Sequence, residues 1–433
     1  MKKLRKLWVR IRTSLWFIPS IMVILSGLLA VGLIRLDSEL EADLSDKWPH
    51  VFGVGTDGVR GILEAIAGSM ITVTGVVFSV VIVALSQAAH QYTPRILRNF
   101  MRDKGTQIVL GTFVSVFTYC LIVLRTIRSG EEDSFVPDIS TATAILLAII
   151  SIGVLIYFIN HISENLQVSS INQSIADETL SAIKTIYPRE KPPQPPFEVS
   201  AREKVKIINC KGNGYIQGIS PKLADFAASL QVLLRVEKHV GEFATTGEPL
   251  ISVIGTKQLT EKEEKELDDY FIIAEFRTID QDPAYGIRQL VDIALKALSP
   301  SLNDNATAAN CLDHLGSILC CLVQREDPPS VEWKDRQPTV LWTRVNVTTM
   351  IEKALVEIRQ SAKGNHATTM HMLRIIRSVL RVARKDIYKH RLLQEVYCLA
   401  EQTEETITPA ADRDQIKSFI RELLAEQEAT QTP

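Results

Sequence analysis

The sequence predicts a membrane α-helical domain of four transmembrane helices joined to a cytoplasmic α+β domain. The latter is a small glycine-rich β module followed by a mostly helical C-terminal region. Three observations predict this. Apolar residues, 46 % of the 433, crowd into roughly the first third of the chain. Four apolar runs there alternate with loops of opposite charge character. A proline cluster between Pro188 and Pro196 then separates them from glycine-bracketed β-rich stretches and amphipathic helices. A chain of this length suits two or three domains. The net charge of -2 carries no nucleic-acid footprint.

The first span is expected over 15–34. Lys2, Lys3, Arg5, Lys6, Arg10 and Arg12 precede it, with Trp16 and Phe17 at the inner interface. Its length and the lack of an A-x-A-like end argue for a retained helix rather than a signal peptide. An acidic loop follows, with Asp37, Glu39, Glu41, Asp43, Asp46 and Asp57, suited to the outer side. The second span, 62–86, has no charge after Glu64, and at about 1.5 Å per residue it crosses a hydrocarbon core of about 30 Å. Gly68, Thr72, Gly75, Ser79 and Ser86 recur on it at spacings of three, four and seven, sharing one face. Two readings stay open for that stripe: close helix packing, or the lining of a water-filled path between copies.

A basic elbow, Gln87 to Gln107, carries Gln91, Arg95, Arg98 and Arg102 with Lys104. Lysine and arginine in short loops stay cytoplasmic, so the hairpin turns inside the cell. The third span is expected over 108–124. Glu131, Glu132, Asp133 and Asp138 mark another outer loop, and a fourth span over 141–159 returns the chain inward. Both termini are then cytoplasmic.

Residues 164–200 read as a helical stalk and a proline-rich linker, since proline forbids helix and favours an extended spacer. Over 201–257, Gly212, Gly214, Gly218, Gly241 and Gly247 bracket short β-rich stretches, with a helix from Pro221 to Leu233. From Thr260 the periodicity is helical, through Tyr270–Ile273 and Ile287–Leu298 to a helix over about 307–323 in a module spanning 258–325. Asp327 to Pro338 reads as a loop. Over 339–433 the amphipathic segments 347–361, 367–385, 391–405 and 412–426 suggest a small antiparallel bundle.

Chemistry-bearing residues concentrate in one soluble stretch, Arg277-Thr-Ile-Asp280-Gln-Asp282 through Arg288 and Asp292 to Asn303-Asp304. Arg288 and Asp292 lie four apart and can pair, and Asn303 and Asp304 suit a helix start. The functional alternative has Arg277, Arg288 and the helix start at 303–307 converge on a small anionic ligand. Asp280 and Asp282 are carboxylates suited to acid-base work, but no phosphate-cradling loop, nucleophile elbow or zinc motif accompanies them, so no enzyme is expected. Cys120, Cys210, Cys311, Cys320, Cys321 and Cys398 form no C-x-x-C pair. Cys311 and His314 lack a second ligand pair. Reduced thiols, no metal and no cofactor are expected.

Several phrases resemble a known bacterial family, domain of unknown function 2254 (DUF2254). They are Ala67-Gly-Ser-Met-Ile-Thr-Val-Thr-Gly-Val-Val-Phe-Ser79, Gln91-Tyr-Thr-Pro-Arg95, Arg102-Asp-Lys-Gly-Thr-Gln107-Ile-Val-Leu-Gly111, Tyr157-Phe-Ile-Asn-His161-Ile, the Arg277–Asp292 stretch and Ala297-Leu-Ser-Pro300. The resemblance implies an inner-membrane protein with several spans and a soluble tail, and no established activity. Ser301 and Asn305 stand where relatives commonly carry glycine and proline. The Gly241–Val253 phrase also resembles half of a barrel-sandwich hybrid, as in lipoyl-type modules, but with no lysine at a hairpin tip. Two functions are expected from different classes. One is a homo-oligomeric channel or transport-like protein gated by its cytoplasmic domain. The other is a non-conducting membrane-anchored sensor or scaffold that binds an anionic ligand or a protein partner.

Overall fold

The apolar runs near the amino terminus fold into four helices arranged around the third. The computed structural model describes residues 16–39, 55–91, 103–128, 135–165, 168–190, 195, 197, 205–255, 257 and 259–431. The chain divides into two units, Met1–Gln167 and Val168–Pro433. In unit 1 the helices are α1 (Phe17–Glu39), α2 (Thr56–Gln91), α3 (Lys104–Leu124) and α4 (Asp138–Asn165). Val109, Phe113, Val116, Tyr119, Cys120 and Val123 of α3 are buried among the other three. At Gly111 a Cβ would stand 2.5 Å from the Met22 sulfur, so glycine lets α1 lie close.

The helix starts explain where these elements begin. The first N–H groups of a helix have no partner within it, and a short carboxylate supplies one. Asp37, near the end of α1, accepts from the backbone N–H of Ile139 at 2.9 Å and of Ser140 at 3.0 Å, capping α4 from a neighbouring helix. Asp103 caps α3 through Gly105 and Thr106 and also meets His161 Nε2 at 2.8 Å. Burial would raise the Asp103 carboxyl, but the bonds from Thr106 and His161 win and hold it below its ordinary value. A Cβ on Gly105 would collide with the His161 ring.

Each helix outruns the apolar stretch that predicts it. The expected 15–34, 62–86, 108–124 and 141–159 become the ranges above, because helical hydrogen bonding continues into the polar residues that flank each apolar run. The expected elbow shortens correspondingly. Gln87–Gln91 continue α2, and Gln107 is buried inside α3. The basic start, most of the acidic stretch between 35 and 60, the segment 92–102 and most of the proline-rich linker lie outside the described residues. Outward faces of α1, α2 and α4 expose Leu28, Ile82, Val83, Ile149 and Ile156, a surface suited to hydrocarbon.

Unit 2 contains α5 (Val168–Ile186), β1 (Val205–Asn209), β2 (Gly214–Ile219), α6 (Lys222–Leu230), β3 (Leu233–Val236), β4 (Phe243–Ala244), β5 (Pro249–Ile254), α7 (Glu261–Asp269), β6 (Phe271–Ala274), α8 (Pro283–Ala297) and α9 (Asn305–Val323). It continues with β7 (Val331–Lys334), β8 (Gln337–Leu341), α10 (Val347–Ser361), α11 (His366–Val382), α12 (Asp386–Thr406) and α13 (Ala410–Gln431). Among the described residues five helices are long and apolar enough to cross a membrane, α1 to α4 and also α9. In unit 2, however, α9 buries Leu312, Leu315, Ile318, Leu319 and Leu322 among α5, α8 and α11.

Two sheets form, ordered β1-β5-β3-β8-β7 and β4-β2-β6, and only the β3–β8 pairing is parallel. Leu223, Ala227, Leu234, Ile251, Val253 and Val340 close the core between sheet and α6. Three sequence readings are corrected here. The Phe271–Ala274 stretch is a strand, not helix, since its adjacent isoleucines fit a pleated sheet better than a helix turn. The expected 327–338 loop contains β7 and the start of β8, joined through Asp335 and Arg336, both at positive φ of 47° and 63°. Consecutive left-handed residues make the mirror-image hairpin turn, usually written with asparagine and glycine, so the sequence carried no turn signal there. The expected stalk, α5, packs Ile171, Ile175, Ala182 and Ile183 into unit 2 against α8 and α9.

A Cβ on Gly286 of α8 would stand 1.8 Å from Thr179 Oγ1 of α5, and Thr179 is fully buried. Gly286→Ala is therefore expected to destabilise unit 2 by about 1–3 kcal/mol through overpacking. Thr179→Ala in the same chain should recover most of that loss in chemical denaturation, giving a strongly non-additive cycle.

Candidate functional site

On α2 the five small residues are spaced so that, at 100° per residue, they fall within about 60° of one another. The residues that pack on α3, namely Val59, Leu63, Ala67, Met70, Val77 and Ala84, lie on the opposite side of the same helix. Gly68, Thr72, Gly75, Ser79 and Ser86 are all exposed, and nothing lies within 4 Å of a Cβ built on Gly68 or Gly75. Among the described residues, packing thus makes no use of the stripe. Ile71, Val76, Phe78, Ile82 and Val83 rise on either side of it, so it forms the floor of a shallow groove. Thr72 Oγ1 donates to the Gly68 carbonyl and Ser79 Oγ to the Gly75 carbonyl, each at 2.8 Å. Their protons are spent within the helix, and what they present outward is acceptor lone pairs.

Of the expected cytoplasmic elbow, Gln91 ends α2, while Arg95, Arg98 and Arg102 lie outside the described residues.

In unit 2 the polar residues do not converge. Arg277 Nε and Nη2 both donate to Asp282 Oδ2, at 2.8 and 2.7 Å, and its guanidinium lies 4.9 Å from the centre of the Tyr285 ring. Asp282 Oδ1 accepts from the Tyr285 N–H and caps α8. Burial pushes the Asp282 carboxyl up, against the pull of Arg277. Gly241, at φ 89°, is what admits the pair, because a Cβ there would collide with both Asp282 and Arg277. Arg288 is held by Asp292 at 2.6 Å and by Glu357 of α10. Burial lowers its guanidinium, but those two bonds outweigh it and hold it above its ordinary value. Asp304 caps α9 through Thr307, whose bonds hold the carboxyl low, and Asn303 beside it sits at φ 47°. With α8 between them, the Arg277 and Asn303 ends are about 20 Å apart at 1.5 Å per residue. The expected convergence of Arg277, Arg288 and residues 303–307 on one anion is therefore corrected. The two arginines are consumed by carboxylates of their own chain.

A cavity of about 380 Å³ opens beside this pair, where the end of α5, the His239 turn, the start of α8 and the β8–α10 connection meet. Asp280 and Asp282 line it, as do Tyr187, His239, Trp342 and Arg344. This is within the usual size range of small-molecule sites. Arg344 lies over the Trp342 ring, 5.4 Å from its centre, and makes no hydrogen bond or ion pair among the described residues. Sequence reasoning missed Arg344 and Trp342 because they sit in a connection with neither helix nor strand periodicity. The signal present was a tryptophan two residues before an arginine.

The family model described as Predicted membrane protein (DUF2254) matches residues 12–378. An uncharacterized protein of Mycobacterium tuberculosis is 31 % identical over 345 residues, covering 76 % of this chain and 64 % of that protein. An uncharacterized protein of Mycobacterium bovis is 30 % identical over 345 residues, with the same shares covered. The chain therefore spans less than two thirds of the length of the curated relatives it matches. No solved structure matches.

Arg277→Ala leaves the buried Asp282 carboxylate unpaired and is expected to cost about 3–5 kcal/mol. Asp304→Ala removes one exposed cap and should cost only about 1 kcal/mol. Denaturant melts of the two variants, monitored on unit 2 tryptophans, check the ranking.

Proposed function

The chain belongs to the DUF2254 family of predicted membrane proteins, and on that footing we propose that it is a homo-oligomeric, multi-pass channel or transport-like protein of the bacterial inner membrane. Four spans, α1 to α4, cross the bilayer with both termini cytoplasmic, as the basic residues near positions 2–12 and 95–104 favour. The fifth apolar helix, α9, belongs to the cytoplasmic unit, which acts as the gate.

The observation that carries this reading is the orientation of α2. The face carrying Val59, Leu63, Ala67, Met70 and Val77 is buried, whereas the glycine and hydroxyl stripe is covered by none of the described residues. Small residues on a membrane helix give little area to lipid and allow another backbone to approach. Copies arranged around an axis would turn these stripes inward, where exposed hydroxyl lone pairs suit a narrow hydrated path. No Asp, Glu, Lys or Arg lies between Glu64 and Ser86 on α2, so conduction would rely on dipoles rather than a buried charge.

A second reading is supported by a separate observation, the cavity at Arg344. In it the chain is a non-conducting membrane-anchored sensor or scaffold whose cytoplasmic unit binds an anionic ligand.

Gly75→Leu and Ser79→Phe place bulk on the stripe without touching the α3 face. Each is expected to cut single-channel current in planar bilayers and to shift the detergent-solubilised particle toward lower mass. Wild-type current together with wild-type mass in both variants would overturn the channel reading.

A further inference from the structure

We propose that the cavity in unit 2 binds a small organic monocarboxylate, with the carboxylate on the Arg344 guanidinium and an apolar body against the wall of the cavity. The inference rests on the ligand-binding reading of unit 2 and is independent of conduction.

Three observations lead to it. The first is the state of Arg344. In this region Arg277 is neutralised by Asp282, and Lys238 by Glu242 and Glu248, yet Arg344 has no carboxylate within ion-pairing distance among the described residues. The residue is exposed, and the protein beside it still pulls its guanidinium below the ordinary value, with Tyr187 and Glu332 acting the other way. A guanidinium held over a tryptophan face keeps its donor edge free, and that edge matches a carboxylate with two parallel bonds.

The second is the lining. Ile186, Ile219, Val240, Pro283, Ala284 and Met350 make most of the wall apolar. A bare inorganic ion would leave that surface against water, whereas a ligand with a hydrocarbon or aryl body covers it.

The third is charge. Asp280 and Glu332 also line the cavity, and Glu332 is already held by the Trp342 indole N–H at 2.8 Å. Three carboxylates thus line the cavity, Asp282 being neutralised by Arg277, and among the described residues Arg344 is the one arginine or lysine in the lining, which matches no more than a single negative charge on a ligand. A phosphate dianion would meet more repulsion from the lining carboxylates than a monoanion would.

The test is calorimetric titration of the full chain in lipid nanodiscs with benzoate, phenylacetate and 3-phenylpropionate. The matching primary amides and inorganic phosphate are the comparators. At least one carboxylate is expected to bind at least about tenfold tighter than its amide, the scale of one charge-assisted hydrogen bond. Arg344→Gln should abolish the difference. Asp280→Asn, at an exposed residue with no hydrogen bond or ion pair among the described residues, should tighten carboxylate binding, and it decides the matter if the arginine variant does not fold. Equal affinity for amide and carboxylate, unchanged binding in Arg344→Gln, or unchanged affinity in Asp280→Asn overturns the proposal. Binding of phosphate in preference to the carboxylates overturns the ligand class while leaving an anion-binding unit 2. Binding of none of these overturns both.

Discussion

The first N–H groups of a helix have no partner within it, and at several starts, buried and exposed, this chain meets that constraint with aspartate. Asp37 supplies the start of α4 from across unit 1, and Asp103 supplies α3 while holding His161 of α4. In unit 2, Asp282 starts α8 and Asp304 starts α9. Two of these caps also join elements distant in sequence, so satisfying the backbone fixes tertiary placement at the same time. The order of magnitude favours this economy: a cap contributes about 1 kcal/mol, and a buried carboxylate without partners would cost several.

What could be read from the chain follows from how local each determinant is. Membrane runs are legible because hydrocarbon demands a long uninterrupted apolar stretch, while their ends are set by caps such as Asp37, which lies about a hundred residues from the helix it starts. The Arg288–Asp292 pair is legible because it is four residues apart on one helix. The role of Arg277 is not, because the space it occupies is cleared by Gly241, on a turn remote in sequence. The stripe on α2 could be recognised as a stripe, yet its direction depends on which face α3 covers. Arg344 owes its isolation to the pairing of its neighbours, which no periodicity records.

The two units pose different physical problems. Unit 1 has apolar surface to spare and one helix face of small residues that lipid covers poorly. Unit 2 spends nearly all of its arginines near α8 on internal carboxylates and leaves Arg344 facing a mostly apolar hollow. Glycine in a helix costs free energy relative to alanine, whereas the exposed Arg344 simply keeps a guanidinium that makes no ion pair among the described residues.

The parallel alignment of β8 with β3 has a consequence for how the protein is made. The sheet receives its fourth strand, in spatial order, from residues 337–341, well over a hundred positions after its first strand is synthesised. Until the ribosome has released that stretch, β3 is a bare edge with unpaired backbone groups, in a nascent polypeptide whose preceding segments are already entering the bilayer. A chain ending between residues 255 and 336 would lack β8 and leave the backbone groups of β3 on that side unpaired.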